Sequence, residues 1–207
     1  MARRPYHSPR RAQDAASTRR DILRTAADLF ATNGYGRVTV AEIAKQAGVA
    51  PQTVYSSAGS KSDILREIVS EAVGSSGADT TVEAIRRTED LATAIGLVAH
   101  GTRMAKETQR QAIDILFAAM PVHEDAGQLW RQSTTAYRHA LGEVAEHLRD
   151  KGLLPAGAEI ERVTDVLWFW FGFNSWRTLV DECGWGMDDA EHWLAARAIE
   201  SLAAPDI

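Results

Sequence analysis

The stretch TVAEIAKQAGVAPQTVY, residues 39–55, decides how this chain is read. Thr39 and Glu42 have the spacing of a reciprocal helix cap, in which each side chain satisfies the other residue's backbone N–H. Ile43, Ala44 and Ala47 then form the buried stripe of a short helix, and Gly48 ends it. Pro51 suits the first turn of a second short helix, because the N–H it lacks has no partner there anyway. That helix runs from Gln52 to about Ser57, buries Val54 and stops at Gly59. Two short helices joined by a glycine-containing turn are the layout of a helix-turn-helix.

Upstream, Thr18 with Asp21 has cap spacing, Ile22, Leu23, Ala26, Leu29 and Phe30 follow helical period, and Asn33-Gly34 closes the helix. Downstream, Ser60 with Asp63 caps a helix carrying Ile64, Leu65, Ile68, Val69 and Ala72. Residues 1–16 have no apolar period and are expected to be a mobile basic arm. Gly74, Ser75, Ser76 and Gly77 mark a module boundary, which predicts a domain over residues 17–75 and a second over 76–207. The second reads as helices throughout. They cover about Val82 to Thr108 (with a break at Gly96 or Gly101 open), Arg110 to Met120, Asp125 to Lys151, Glu159 to Cys183, and Asp188 to Ala203, the last capped by Asp188 and Glu191. The fold class is therefore all-α, with about nine helices.

The segment from Thr18 to Leu65, with ILRTAADLFATNGY, TVAEIAKQAGV, and TVY followed by Lys61, resembles the DNA-binding domain of the TetR family. The resemblance implies a transcriptional regulator, usually a repressor, that binds a duplex DNA operator as a homodimer and answers to a small molecule. It implies phosphate contacts for Thr39, Tyr55 and Lys61, and base-edge contacts for Gln52 and Thr53, since Gln pairs with adenine and Thr meets a thymine methyl. Two positions depart from the pattern. Ala58 stands where an aromatic residue usually packs beneath the recognition helix, and Ala50 stands where a capping Ser is usual. Both point to a recognition helix with few anchors.

In the second domain, the last two helices resemble those that pair between subunits in this family. The residues point the same way: Trp168, Phe169, Trp170, Phe173 and Trp176 spread apolar character around most of one helix, which then needs cover on most sides. Trp170, Gly172, Trp176 and Trp193 are the candidate dimer contacts, Gly172 for close approach; a central helix of the monomer is the alternative. By resemblance, a ligand pocket lies in the same body. His100, Met104, Ile113, Phe117, Met120, Trp130, Tyr137 and Trp168 are its candidate lining, an apolar and aromatic set that fits an uncharged or aromatic inducer. Plain core packing is the competing reading of each. His123-Glu124-Asp125 reads as a solvated helix start rather than a metal site.

Charge separates the two halves. Residues 1–66 carry 11 Lys and Arg against 5 Asp and Glu, whereas residues 67–207 carry 12 against 23, for a net charge of −5. A basic module that meets a polyanion, attached to an acidic body, accounts for this. The longest apolar run, residues 166–173, is too short to span a bilayer, so no membrane partner and a cytoplasmic location are expected. The single cysteine, Cys183, reads as a small buried residue. No nucleophile elbow, phosphate-cradling loop or metal motif is present, so neither a cofactor nor enzyme activity is expected. The alternatives are a small-molecule-binding protein with a degenerate reading head and an all-helical enzyme.

Overall fold

The computed structural model describes residues 9–74, 77–204 and 207, and among them it contains helices, turns and no strand. Helix α1 spans Pro9–Asn33, α2 Val40–Gln46, α3 Pro51–Ala58, α4 Lys61–Gly74 and α5 Ala78–Ile85. Then follow α6 Leu91–Ala119, α7 Glu124–Asp150, α8 Ile160–Phe171, the short α9 Phe173–Trp176, a π-helical turn Arg177–Glu182, and α10 Met187–Leu202. No helix among the described residues is long and apolar enough to cross a membrane.

The described residues form two compact units: one within Met1–Ala72 and Arg110–Trp130, the other within Val73–Gln109 and Arg131–Ile207. Both α6 and α7 contribute residues to each unit, so a single boundary near residue 75 does not describe the division.

In the first unit, α1 begins at Pro9 rather than at Thr18, so the expected arm is partly helical; Met1–Ser8 lie outside the described residues. The Thr18 hydroxyl donates to the Asp14 carbonyl at 2.9 Å, as a threonine inside a helix does, instead of capping one. Pro9 fits a first turn, and the alanines at 12, 15 and 16 favour continuation. Gly34, with φ 82°, ends α1 by donating its N–H to Phe30 at 3.0 Å. Ile22, Leu23, Ala26, Phe30, Tyr35, Ile43, Val54, Ile64 and Leu65 share one core with Ala112, Ile115, Leu116, Ala119 and Ala126. The ends of α6 and α7 thus complete the hydrophobic interior of the N-terminal module.

In the second unit, Ile95, Val98, Leu141, Val144, Leu148, Val163, Leu167, Phe171, Trp176, Leu194 and Leu202 form the core. The expected helix over 82–108 is interrupted neither at Gly96 nor at Gly101. The break falls between Ile85 and Leu91, where the Thr88 hydroxyl donates to Ile85 at 2.8 Å and Asp90 accepts the Thr93 N–H at 2.8 Å. Gly101 sits inside α6 at a close approach: a Cβ there would lie 2.7 Å from Thr81 of α5. Past Thr108 the helix continues without a stop to Ala119.

The expected helix over 159–183 breaks at Gly172, whose ψ of 162° is extended. Its N–H still closes α8 on the Trp168 carbonyl at 2.8 Å. Before α10 the cap position is Gly186, with no side-chain bond. Asp188 and Glu191 instead pair with Arg103 of α6. Cys183 is exposed, not buried, because it follows the π-helical turn at the end of the aromatic segment.

Candidate nucleic-acid interface

The local physics read from residues 39–63 is present in full. Thr39 and Glu42 form the reciprocal cap, with the Thr39 N–H donating to Glu42 at 2.8 Å and the Glu42 N–H to Thr39 at 3.2 Å. These bonds hold the Glu42 carboxyl below its ordinary pKa, the one from the Thr39 backbone most. The same box recurs at Ser60 and Asp63 ahead of α4. Between them, α3 turns Val54 and Ala58 into the core and leaves Gln52 and Tyr55 exposed and Thr53 half-buried, with Tyr55 at 53% of its full exposure. Thr39 is exposed as well. The four expected DNA-contacting side chains on the α2–α3 segment thus retain access to solvent, and Lys61 at the start of α4 is half-buried, as Thr53 is.

Lys61 is different. Its ammonium donates to the carbonyls of Tyr35 and Val38, both at 3.0 Å, and lies 4.4 Å from the centre of the Tyr35 ring. It ties the start of α4 to the connection between α1 and α2.

Arg19, which sequence reasoning did not single out, behaves similarly. Its guanidinium donates to the Ser57 carbonyl at the end of α3 and grips both carboxylate oxygens of Glu67 on α4, through Nε at 2.7 Å. Nothing in the periodicity of α1 separates Arg19 from its neighbour Arg20. Arg24 and Arg66 pair with Asp21 and Asp63, one turn away on their own helices, at 2.9 and 2.7 Å. Arg20, Arg37 and Lys45 are exposed and have no ion pair among the described residues.

The departures at positions 50 and 58 are structural facts too. Ala50 precedes α3 with no side-chain cap, and Ala58 is buried within the unit's core. The Arg19 bond to Ser57 supplies an anchor at the end where an aromatic side chain is missing.

The candidate pocket residues fall into separate groups. Ile113, Phe117, Met120 and Trp130 belong to the first unit, where the Phe117 and Trp130 rings lie 4.6 Å apart. His100, Met104, Tyr137 and Trp168 belong to the second. There Tyr137 and Trp168 meet edge to face at 5.8 Å, and the Tyr137 hydroxyl donates to Phe171 at 3.1 Å. Burial raises the Tyr137 pKa far above its ordinary value, so the hydroxyl stays a donor. His100 and Met104 are exposed, with His100 3.2 Å from Glu191.

Of the candidate dimer residues, Trp170 donates to Ser201 at 3.0 Å and meets Trp193 edge to face at 5.7 Å. Phe169 and Trp185 extend this aromatic row at 4.9 and 5.7 Å, and both are exposed. Trp176 departs from the expectation: at 1% exposure it fills the chain's own core and presents no surface. Gly172 approaches its own chain, since a Cβ there would collide with the Trp168 carbonyl.

These features define an all-helical protein with an N-terminal helix-turn-helix whose second short helix is presented outward. Residues 22–68 match the profile described as bacterial regulatory proteins, tetR family. The match covers the helix-turn-helix and its flanking helices, so it is this domain that is similar to that family.

Solved structures share the fold over most of this chain. The fatty acid degradation regulator FadR from Bacillus halodurans aligns with a TM-score of 0.69 at 15% identity, over 87% of this chain and 94% of that one. The transcriptional regulator FadR from Bacillus subtilis, in complex with stearoyl-CoA, aligns with a TM-score of 0.68 at 20% identity, over 89% and 97%. A TetR transcription regulator from Haloarcula marismortui aligns with a TM-score of 0.67 at 18% identity, over 91% and 100%. No curated protein sequence matches.

Proposed function

We propose that this chain is a homodimeric, DNA-binding transcriptional regulator that represses from a near-palindromic operator and releases it when a small apolar or aromatic molecule binds the helical body. The observation that carries the reading is α3: its two inward side chains, Val54 and Ala58, leave Gln52, Thr53 and Tyr55 free to meet a groove. A two-fold dimer sets two such helices about one duplex turn apart, roughly 34–36 Å, which is why the operator has inverted half-sites. Tyr137 and Trp168 in one unit, and Phe117 and Trp130 in the other, are the aromatic pairs best suited to meet a ligand. The bound stearoyl-CoA of the Bacillus subtilis neighbour makes a long-chain acyl thioester the first inducer to try.

The experiment is selection of duplexes from a random library by the purified protein, followed by gel shift of the recovered sequence at several salt concentrations. Enrichment of an inverted repeat with salt-sensitive binding supports the regulator. Failure to enrich any sequence sinks it and favours a small-molecule-binding protein with a degenerate reading head, the reading that the uncapped start of α3 motivates. Adding stearoyl-CoA to the complex then tests release.

A further inference from the structure

Arg19 and Lys61 contribute two of the positive charges that make the N-terminal module basic, yet both are directed at protein. Arg19 grips Glu67 of α4 with a planar fork and donates to the Ser57 carbonyl at the end of α3. Lys61 places two of its three protons on carbonyls and its charge against the Tyr35 ring. A helix as short as α3 is not stable by itself. Its side chains in the core are only Val54 and Ala58, and its start has no side-chain cap. A charge-assisted bond to its last turn is therefore a large share of what holds it.

We propose that Arg19 and Lys61 are positioning residues that hold the reading head in place, and that Arg37, ahead of α2, and Lys45, in its last turn, supply the charge that meets the phosphates. This rests on the regulator reading. The second half follows from the pairing pattern: Arg37 precedes the Thr39 cap, Lys45 lies in the last turn of α2, and both are exposed without an ion pair among the described residues. A guanidinium neutralised by its own carboxylate does not displace condensed counterions from DNA. A solvent-facing one does, and each phosphate contact contributes about 0.9 to the slope of log affinity against log salt.

The test measures that slope and the selectivity, on the full-length protein, for the selected duplex and an unrelated one. Arg19→Lys is the principal variant because it keeps the charge and cannot reproduce the fork. It is expected to weaken binding to the selected duplex roughly tenfold or more, with the slope and the affinity for the unrelated duplex unchanged. Glu67→Gln should also lower selectivity, and Arg19→Ala with Glu67→Ala should cost much less than the two separate losses together. Lys61→Met should likewise lower selectivity at constant slope.

Arg37→Ala and Lys45→Ala should each reduce the slope, by nearly two for a dimer that loses two contacts, at about 0.9 apiece. Full selective affinity in Arg19→Lys, or a reduced slope in Lys61→Met, overturns the positioning role. An unchanged slope in Arg37→Ala and Lys45→Ala overturns the phosphate assignment. If the wild type itself binds no duplex, the regulator reading falls, and this inference falls with it.

Discussion

His123 Nε2 lies 2.9 Å from the Ser62 hydroxyl, and its ring meets Tyr35 edge to face at 5.5 Å. The residue that reads as the solvated start of α7 is instead turned into the N-terminal module, with Nδ1 buried and 4.0 Å from the Asp125 carboxylate. His123→Ala leaves the Ser62 hydroxyl without this partner and removes packing from Tyr35. The expected cost is about 1–3 kcal/mol, seen as a lower melting temperature and faster amide exchange in α4. His123→Gln, which keeps a hydrogen-bonding group at similar reach, should recover part of it. An unchanged melting temperature in His123→Ala would show that this contact is not maintained in solution.

Acid should loosen the same module. The Asp63 carboxyl is held down to about 2 from 3.8, first by the Ser60 hydroxyl, then by the Ser60 N–H and by Arg66. A carboxyl whose folded pKa is lowered stabilises the fold above its unfolded value, and that contribution disappears as pH falls through the folded one. Melting temperature should therefore drop between about pH 4 and about pH 2. Asp63→Asn should melt lower at neutral pH and show a shallower acid limb. Parallel limbs in the two proteins would mean that the Ser60–Asp63 cap does not persist. The contribution is modest, since Asp63 is half exposed and solvent screens its charge interactions.

The contrast between His123 and Asp63 shows what was legible in the sequence. The caps at Thr39 and Ser60, and the stops at Gly34 and Gly59, involve partners a few residues apart, and all were readable. Val54 and the apolar period of α1 fixed the inward faces equally well. Arg19 and Glu67 are separated by 48 positions and His123 and Ser62 by 61, so no local pattern announces either pair. For the same reason Lys61 reads as a free cation until Tyr35 and Val38 are seen beside it. Gly101 and Gly172 are ambiguous in a different way. Glycine marks both a helix break and a close approach, and only the neighbours, Thr81 for one and Trp168 for the other, distinguish them.

Gly172 supports a sharper prediction. A methyl group there would run into the Trp168 carbonyl, a backbone atom that cannot swing away. Gly172→Ala should shift the junction of α8 and α9 and cost roughly 1–3 kcal/mol, the usual range for forced overpacking. Because Phe171 and Trp176 on either side are both buried, the loss should register as red-shifted tryptophan fluorescence as well as a lower melting temperature. A variant as stable as the wild type would indicate that the break relaxes freely.

Phe169 and Trp193 provide the test of assembly. Phe169 is 66% exposed and Trp193 39% exposed, and Trp170 bridges them in a continuous edge-to-face row that ends at Trp185. An aromatic row left open on a chain with a filled core is costly in water, and a second copy of α8 and α10 would cover it. Phe169→Glu should therefore convert a dimer to a monomer in sedimentation velocity without lowering the monomer's helicity. Trp176→Ala should do the reverse: it opens a cavity in the chain's own core and destabilises the fold by about 3–5 kcal/mol before it affects association. A wild-type protein that sediments as a monomer at all accessible concentrations would remove the two-fold symmetry on which an inverted-repeat operator depends.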